Sequence, residues 1–195
     1  MSRPTVAVID LKALRANFAL AQSLTPGAST IPMVKANAYG HGMIEVSRAL
    51  SESAPAFGVA SIDEALVLRE AGIKQPILLL EGTFSCDEVG VAADNNFILM
   101  VENSVQKDAI LNASISRPVS VWLGIDTGMH RLGFEPHEAT QAYLALSNTD
   151  NVAKPIVAAS HFACADDLGS SATERQVVIF DQCTASMADA TNDVI

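Results

Sequence analysis

The segment IPMVKANAYGHG, residues 31–42, places Lys35 directly after an apolar run and two glycines shortly beyond it. Partial burial favours the neutral form of a lysine amine, and a neutral amine can bond to an aldehyde. Tyr39 lies on the same turn, while Gly40 and Gly42 would let the backbone approach an anion. The alternative is a lysine that pairs with a core carboxylate, and the spacing alone does not exclude it.

The segment LGIDTGMHRLGF, residues 123–134, follows a second apolar run and contains Asp126 and Arg131. The guanidinium of an arginine forks its donors and therefore suits a carboxylate or a phenolate oxygen. A salt bridge from Arg131 to Asp126 is the alternative. In the first segment, a lysine that can hold an aldehyde lies beside donors for a phosphate, and this combination indicates pyridoxal 5′-phosphate (PLP).

The segment SHFACADD, residues 160–167, follows a third apolar run and begins with Ser160 and His161. Cys164 and Asp166 invite a metal site, but their spacing from His161 matches no usual zinc pattern, and we predict no metal. A neutral histidine beside a ligand is favoured, and a core histidine remains the alternative.

Apolar runs alternate with amphipathic helical patterns along the chain, which predicts an α/β fold with a parallel sheet. The predicted strands have the Val, Ile and Leu content of strands buried on both faces. They lie in residues 31–36, 56–60, 76–82, 96–102, 118–126 and 154–163. Lys35, Asp126 and His161 fall at or near strand ends, where parallel sheets collect their active sites.

Five helices are predicted from end signals and from apolar spacing. The first is capped by Asp10, and a later helix has Ser61 and Glu64 at capping-box spacing and ends near Gly72. One helix has Met43, Val46 and Leu50 on one face. Another has Pro136 in its first turn and apolar positions at 139, 143 and 146. The last has Thr173 as its cap and Val177, Phe180 and Thr184 on one side.

The 195 residues are 49% hydrophobic and 17% charged, which is sufficient for a sizeable core. The net charge of -10 argues against nucleic acid or an anionic membrane as a partner. Three cysteines without a C-x-x-C spacing indicate free thiols in a reducing compartment. With no signal peptide and no membrane-length apolar run, we expect a soluble, cytoplasmic protein.

The motifs VKANAYGHG, DTGMHRLGF and SHFACADD occur in this order, and together they resemble bacterial alanine racemase. The linking segment FGVASIDEALVLREAGIKQPILLLEG is also similar to that family. The resemblance implies a (β/α)8 TIM-type barrel, here about six βα units in one incomplete PLP-binding domain over 1–195. It also implies a homodimer when the protein is full length.

The resemblance implies specific roles for four residues. Lys35 matches the lysine that bonds to PLP and exchanges the α-proton on one face of alanine. Tyr39 matches a phosphate-contacting tyrosine, and His161 matches the histidine packed against the pyridine ring. Arg131 matches the arginine that contacts the cofactor's phenolic oxygen and the substrate carboxylate. The implied activity interconverts L-alanine and D-alanine and supplies D-alanine for peptidoglycan.

Two departures from the family pattern bear on that expectation. The family's second base is a tyrosine of a C-terminal β domain, which this sequence lacks, so we expect an N-terminal portion of a longer enzyme. Many members also carry a lysine, often carbamylated, where this chain has Gly124. Another anion could then orient Arg131. The alternatives are a broad-specificity amino-acid racemase of the same fold and a non-catalytic PLP-binding barrel protein.

Overall fold

The structure is a computed structural model that describes residues 4–188. The chain divides into two units, Met1–Ile77 and Leu78–Ile195, and the boundary falls inside a strand. The helices are α1 (Leu11–Leu24), α2 (Lys35–Tyr39), α3 (Met43–Leu50), α4 (Ile62–Glu70), α5 (Asp87–Asn95), α6 (Ser104–Leu111), α7 (Pro136–Ser147) and α8 (Ala172–Ala188). The strands are β1 (Phe57–Val59), β2 (Ile77–Leu79), β3 (Phe97–Val101), β4 (Ser120–Gly124) and β5 (Val157–Ala159).

The strands of the second unit are neighbours in chain order, and β3, β4 and β5 run parallel. Val101, the last residue of β3, pairs with Leu123, and Gly124 at the end of β4 pairs with Ala159 at the end of β5. The loops that follow these strands therefore leave from one edge of the sheet. The predicted parallel α/β architecture is confirmed, and each predicted run from 56–60 onward contains a strand.

The first predicted strand, residues 31–36, is wrong as a strand. Only Met33 pairs there, through an isolated parallel bridge to Gly58 in β1. Val34 N donates to Gly58 O at 2.8 Å, and Gly58 N donates to Pro32 O at 3.0 Å. The ladder stops at this point because the chain turns into α2 at Lys35. The described residues thus contain five strands where the sequence predicted six.

Most predicted helix ends are confirmed because they depend on local chemistry. The Asp10 carboxylate accepts the N–H groups of Lys12 and Ala13, and Pro136 is the first residue of α7. Gly72 has a φ of 86°, as a residue that ends α4 requires. The Ser61 side chain, in contrast, makes no capping hydrogen bond.

The predicted buried side of α8 is wrong. The helix begins at Ala172 rather than after a Thr173 cap, and Val177 is exposed. Its buried side chains are Gln176, Cys183 and Met187. Gln176 lies on the buried side because its amide forms hydrogen bonds with groups of two loops. A pattern of apolar residues does not predict such a contact.

The remaining helix faces agree with the sequence. Met43, Val46 and Leu50 of α3 are buried, as are Ala139, Tyr143 and Leu146 of α7. Among the helices of residues 4–188, none has both the length and the apolar character needed to cross a membrane.

Candidate functional site

Lys35 follows a fully buried residue, Val34, and is itself half-buried at the start of α2. From Ala36 to Tyr39 the chain has φ values between 51° and 55°. These are left-handed helical dihedrals, which cost an L-residue about 1 to 2 kcal/mol each. A run of four non-glycine residues in this region requires strong support from its surroundings.

Backbone hydrogen bonds within the first unit supply part of that support. Ala38 N donates to Val34 O at 2.8 Å, and Gly40 N donates to Ala36 O at 3.2 Å. The Asn37 side chain accepts the N–H of Met43 at 2.8 Å and so joins α2 to the start of α3. Asn tolerates the left-handed region better than most residues, which fits its place in the middle of the turn.

Glu64 of α4 holds the same turn from outside. Its Oε1 accepts the N–H of Ala36 at 2.7 Å, and its Oε2 accepts the N–H of Ala60 at 2.8 Å. Sequence reasoning assigned Glu64 to a capping box with Ser61 and missed its contact with the residue after Lys35. The only sequence signal was an acid in the first turn of a helix that follows β1.

Gly40 and Gly42 do not have the predicted role of presenting N–H groups to a phosphate. The N–H groups of Gly40, His41 and Gly42 all donate to carbonyl oxygens of α2. Gly40 and Gly42 have φ values of 88° and 92°, so they are needed for the backbone path instead. The prediction of a glycine-lined phosphate cradle in this turn is therefore wrong.

The amine of Lys35 has no hydrogen-bond or salt-bridge partner among the described residues of its own unit. The alternative of a lysine paired with a core carboxylate is thus not realised there. Tyr39 is 62% exposed, so its phenol faces solvent within this unit. The turn consequently presents a half-buried amine and an accessible hydroxyl.

The Arg131 loop connects β4 with α7 and is closed at its base. Asp126 N donates to Phe134 O and Phe134 N donates to Gly124 O, each at 2.9 Å. Gly133 has a φ of 110°, and a Cβ there would lie 2.6 Å from Asp126 N. Only glycine permits this closure, which leaves Arg131 exposed at the tip of the loop.

Asp126 organises the first half of that loop rather than pairing with Arg131. Its Oδ1 accepts the N–H groups of Gly128 at 2.9 Å and His130 at 3.0 Å, and its Oδ2 lies 3.2 Å from His130 Nδ1. Burial alone would raise the pKa of Asp126, but these donors outweigh it and hold that pKa below its usual value. The predicted alternative of an Arg131–Asp126 salt bridge is absent.

His161 follows β5 and is exposed. Its backbone is held by a hydrogen bond from a side chain of α8. Gln176, only 3% exposed, donates from Nε2 to His161 O at 2.9 Å and to Thr127 Oγ1 at 3.1 Å. Its Oε1 accepts the N–H of Ala163 at 2.9 Å. The Thr127 hydroxyl is also 2.7 Å from Ser160 Oγ.

Each unit therefore brings two predicted residues together. The first holds Lys35 and Tyr39 on one turn, and the second joins the His161 segment to the Arg131 loop through Gln176. Sequence reasoning missed Gln176 because its position looked like the polar side of a helix.

The remaining histidines and cysteines do not add to these groups. His41, His130 and His137 are all exposed, and burial raises the pKa of the Cys183 thiol. Within residues 4–188, no three acidic, histidine or cysteine side chains gather as a metal site would require.

Comparison with known proteins identifies one family to which this chain is similar. The family described as alanine racemase, N-terminal domain, matches residues 9–194. An alanine racemase of Edwardsiella ictaluri is 46% identical over 179 residues, which cover 92% of this chain and 49% of that protein. The biosynthetic alanine racemase of Escherichia coli O6:H1 is 47% identical over 173 residues, covering 89% and 48%.

Solved structures agree with the sequence match. The crystal structure of biosynthetic alanine racemase from Pseudomonas aeruginosa has a TM-score of 0.90 and 40% identity, and it covers 94% of this chain and 51% of that one. The chain thus spans about half the length of the curated relatives it matches. Since the family matches nearly the whole chain, and a solved member shares its fold, the chain belongs to the alanine racemase family.

Proposed function

We propose that the complete protein containing these residues is a PLP-dependent alanine racemase that interconverts L-alanine and D-alanine. The observation that carries the proposal is Lys35, a half-buried amine with no partner in its own unit. The turn that bears it has four left-handed residues. Such strain persists at functional sites because a fixed geometry is required there.

The residues present fit a cofactor with an aldehyde and an anionic ring substituent. The amine of Lys35 would hold the aldehyde, and the exposed hydroxyl of Tyr39 would donate to the phosphate. Arg131, exposed at the tip of its loop, would bind the phenolic oxygen and the substrate carboxylate. The His161 ring would pack against the pyridine.

The chemistry required of the chain is the movement of one proton at Cα of alanine. Bound PLP would supply an electron-withdrawing ring that makes this proton removable. Lys35 would take or return the proton on one face, while Arg131 fixes the carboxylate so that Cα stays in reach. Racemisation needs a second group on the opposite face. Tyr143, the other tyrosine of the chain, is buried in α7, which does not suit a group that must meet a substrate.

Three further features belong to the same proposal. The second proton donor would come from the part of the enzyme that this chain does not span, or from a second subunit of a homodimer. The protein would act in the cytoplasm, where L-alanine is available. Its product, D-alanine, would enter peptidoglycan synthesis.

The proposal is tested with Lys35→Ala in the native full-length protein. Exchange of the α-proton of L-alanine and D-alanine into deuterated water is followed by NMR, and PLP binding by its visible absorbance. We expect exchange to fall by at least roughly a thousandfold, because both the anchor and one proton carrier are lost.

Lys74→Ala is the matched control, since Lys74 is an exposed lysine of the same unit. It should retain exchange and absorbance. Exchange by Lys35→Ala at the wild-type rate would refute the proposal. PLP binding without any α-proton exchange in the wild-type protein would instead favour a non-catalytic PLP-binding protein.

A further inference from the structure

The segment 160–163, which begins directly after β5 and contains His161, is exposed at every residue. Phe162, its one large apolar side chain, is 41% exposed. Burial of apolar surface therefore does little to fix this segment, and a segment with few buried contacts moves readily unless other bonds hold it. The backbone that carries His161 consequently depends on its hydrogen bonds.

Gln176 of α8 holds this segment at two backbone groups. Its Nε2 donates to His161 O at 2.9 Å, and its Oε1 accepts the N–H of Ala163 at 2.9 Å. The same Nε2 also donates to Thr127 Oγ1, at 3.1 Å. Gln176 and Thr127 are only 3% and 2% exposed, so water does not readily replace these bonds. A buried amide of α8 thus anchors an exposed segment.

The orientation of the Gln176 amide is fixed by its partners. A carbonyl oxygen can only accept and a backbone N–H can only donate, so Nε2 must face His161 O and Oε1 must face Ala163 N. Turning the amide over would place two acceptors together at one position and two donors together at the other. The two backbone groups therefore specify a side chain that has both a donor and an acceptor.

The Thr127 hydroxyl extends the network to the residue before His161. Thr127 Oγ1 lies 2.7 Å from Ser160 Oγ, which donates to Ile125 O at 2.8 Å. Because Ile125 O can only accept, the one hydrogen of Ser160 Oγ points to it. The Thr127 hydroxyl must then donate to Ser160 and accept from Gln176. The hydrogen bonds thus run in one direction, from the buried amide to the residue after β4.

We propose that Gln176 is a positioning residue that holds His161 beside the start of the Arg131 loop, so that the imidazole ring can pack against a bound pyridine ring. This inference rests on the proposed function, which gives the His161 ring its contact with PLP. Thr127, which comes directly after Asp126 in that loop, is the point to which Gln176 ties the segment. Gln176 acts through the main chain of His161, because that is where its hydrogen bond ends.

The experiment uses the native full-length protein with Gln176→Met, which keeps the length of the side chain and removes its hydrogen bonds. We expect the dissociation constant for PLP to rise roughly tenfold and kcat/KM for alanine to fall roughly tenfold to a hundredfold, because a displacement of about 1 Å in a site is enough for such losses. The visible circular dichroism of bound PLP should also shrink, since it reports how the protein holds the cofactor ring.

Three further variants separate the contacts of the network. Gln176→Glu keeps an oxygen for the N–H of Ala163 but places an acceptor against His161 O, so we expect losses at least as large as those of Gln176→Met. Thr127→Val leaves the bond to His161 O in place, so PLP affinity and kcat/KM should fall only several-fold. Thr127→Ser restores the hydroxyl and should recover most of that loss.

Hydrogen exchange supplies a readout that does not depend on activity. The amide of Ala163 is protected by its bond to Gln176 Oε1. In the full-length protein, with PLP bound or removed, exchange of this amide with deuterated water should be at least roughly tenfold faster in Gln176→Met. Mass spectrometry of the peptide that contains Ala163 measures the rate.

Cys183→Ala is the matched control, because it truncates another buried side chain of α8 about two turns further along the helix. We expect it to lower the urea midpoint of unfolding, as Gln176→Met also should. It should change neither the exchange of the Ala163 amide nor the affinity for PLP. The control therefore separates a loss of stability from a loss of position at His161.

Unchanged PLP affinity together with unchanged kcat/KM in Gln176→Met would overturn the inference. Faster exchange at the Ala163 amide in that variant would then mark Gln176 as a structural contact alone. If Gln176→Met does not fold, Thr127→Val and Thr127→Ser decide the question, and equal PLP affinity in these two variants and the wild type would overturn the inference.

The failure of this inference can be distinguished from the failure of the proposed function. If Lys35→Ala abolishes exchange of the α-proton of alanine while Gln176→Met behaves as the wild type, the proposed function stands and only the role of Gln176 is lost. If Lys35→Ala keeps that activity, the proposed function fails. The exchange rate of the Ala163 amide would still show whether Gln176 holds the segment.

Discussion

The turn that carries Lys35 and the loop that carries Arg131 are held in different ways. In the turn, the backbone itself is bonded residue by residue, and Glu64 adds a carboxylate contact at Ala36. In the loop, the contacts lie at the base, around Asp126, and the tip with Arg131 is exposed. The proposed covalent anchor at Lys35 needs a fixed backbone, whereas the proposed contact of Arg131 with a carboxylate is reversible and can be made from an exposed loop tip.

The largest expected effect comes from a substitution at the base of the Arg131 loop that keeps the loop from closing. At Gly133, a Cβ would lie 2.6 Å and 2.9 Å from the backbone atoms Asp126 N and Ile125 C, and the φ of 110° adds strain. We expect Gly133→Ala to lower the free energy of unfolding by about 4 kcal/mol, measured by urea denaturation. Gly40→Ala in the turn is the matched variant, because its Cβ would meet nothing within 4 Å.

Gly40→Ala should cost only about 1 kcal/mol, which is the penalty for a left-handed residue without a clash. The two variants thus compare conformational strain alone with strain plus collision. Equal losses would mean that the close approach at Gly133 relaxes easily, and the contrast between a tightly closed loop base and an exposed tip would then fail.

The second effect concerns Glu102, which follows β3 and has its Cγ 2.9 Å from where a Cβ on Gly124, at the end of β4, would lie. Because the pKa of Glu102 is raised to about 7, the folded protein binds a proton that the unfolded chain releases near its ordinary value of 4.5. Stability should therefore fall as the pH rises from about 4.5 to 7 and level off above it. After allowance for solvent screening at this partly exposed carboxylate, the loss should be on the order of 1 to 2 kcal/mol.

Glu102→Gln should remove this dependence and should be more stable than the wild type at pH 8. Urea denaturation of both proteins between pH 5 and pH 8 measures the difference. A variant that is less stable at pH 8 would show that the carboxylate is a structural contact. Higher stability of the variant at pH 8 would show that the folded protein keeps this carboxylate at a cost to its stability.

The smallest expected effect on the free energy of unfolding comes from a change in the turn that carries Lys35. Glu64→Gln leaves one oxygen for two N–H groups, so either Ala36 or Ala60 loses its acceptor. We expect a loss of about 1 to 2 kcal/mol. Faster hydrogen exchange at the Ala36 amide would locate the effect, and Asp63→Asn at an exposed neighbour should change neither. Unaltered exchange at Ala36 would mean that the turn holds its left-handed path without Glu64.

Local chemistry allowed much of the fold to be predicted. The cap at Asp10, the proline at the start of α7 and the glycine after α4 each depend on a few adjacent residues. Apolar runs located the five strands to within a few residues because buried parallel strands require them. The three motifs likewise indicated the family and its candidate residues without any structure.

Tertiary structure alone decided how those residues are held. The left-handed path of residues 36–39 depends on Glu64, which is far along the chain from the turn, and the segment that read as a strand keeps only one bridge. The buried amide of Gln176 and the Glu102 side chain over Gly124 are also contacts between distant segments. Sequence patterns report each residue's own preferences, whereas these arrangements arise only when separate segments pack and satisfy one another's polar groups.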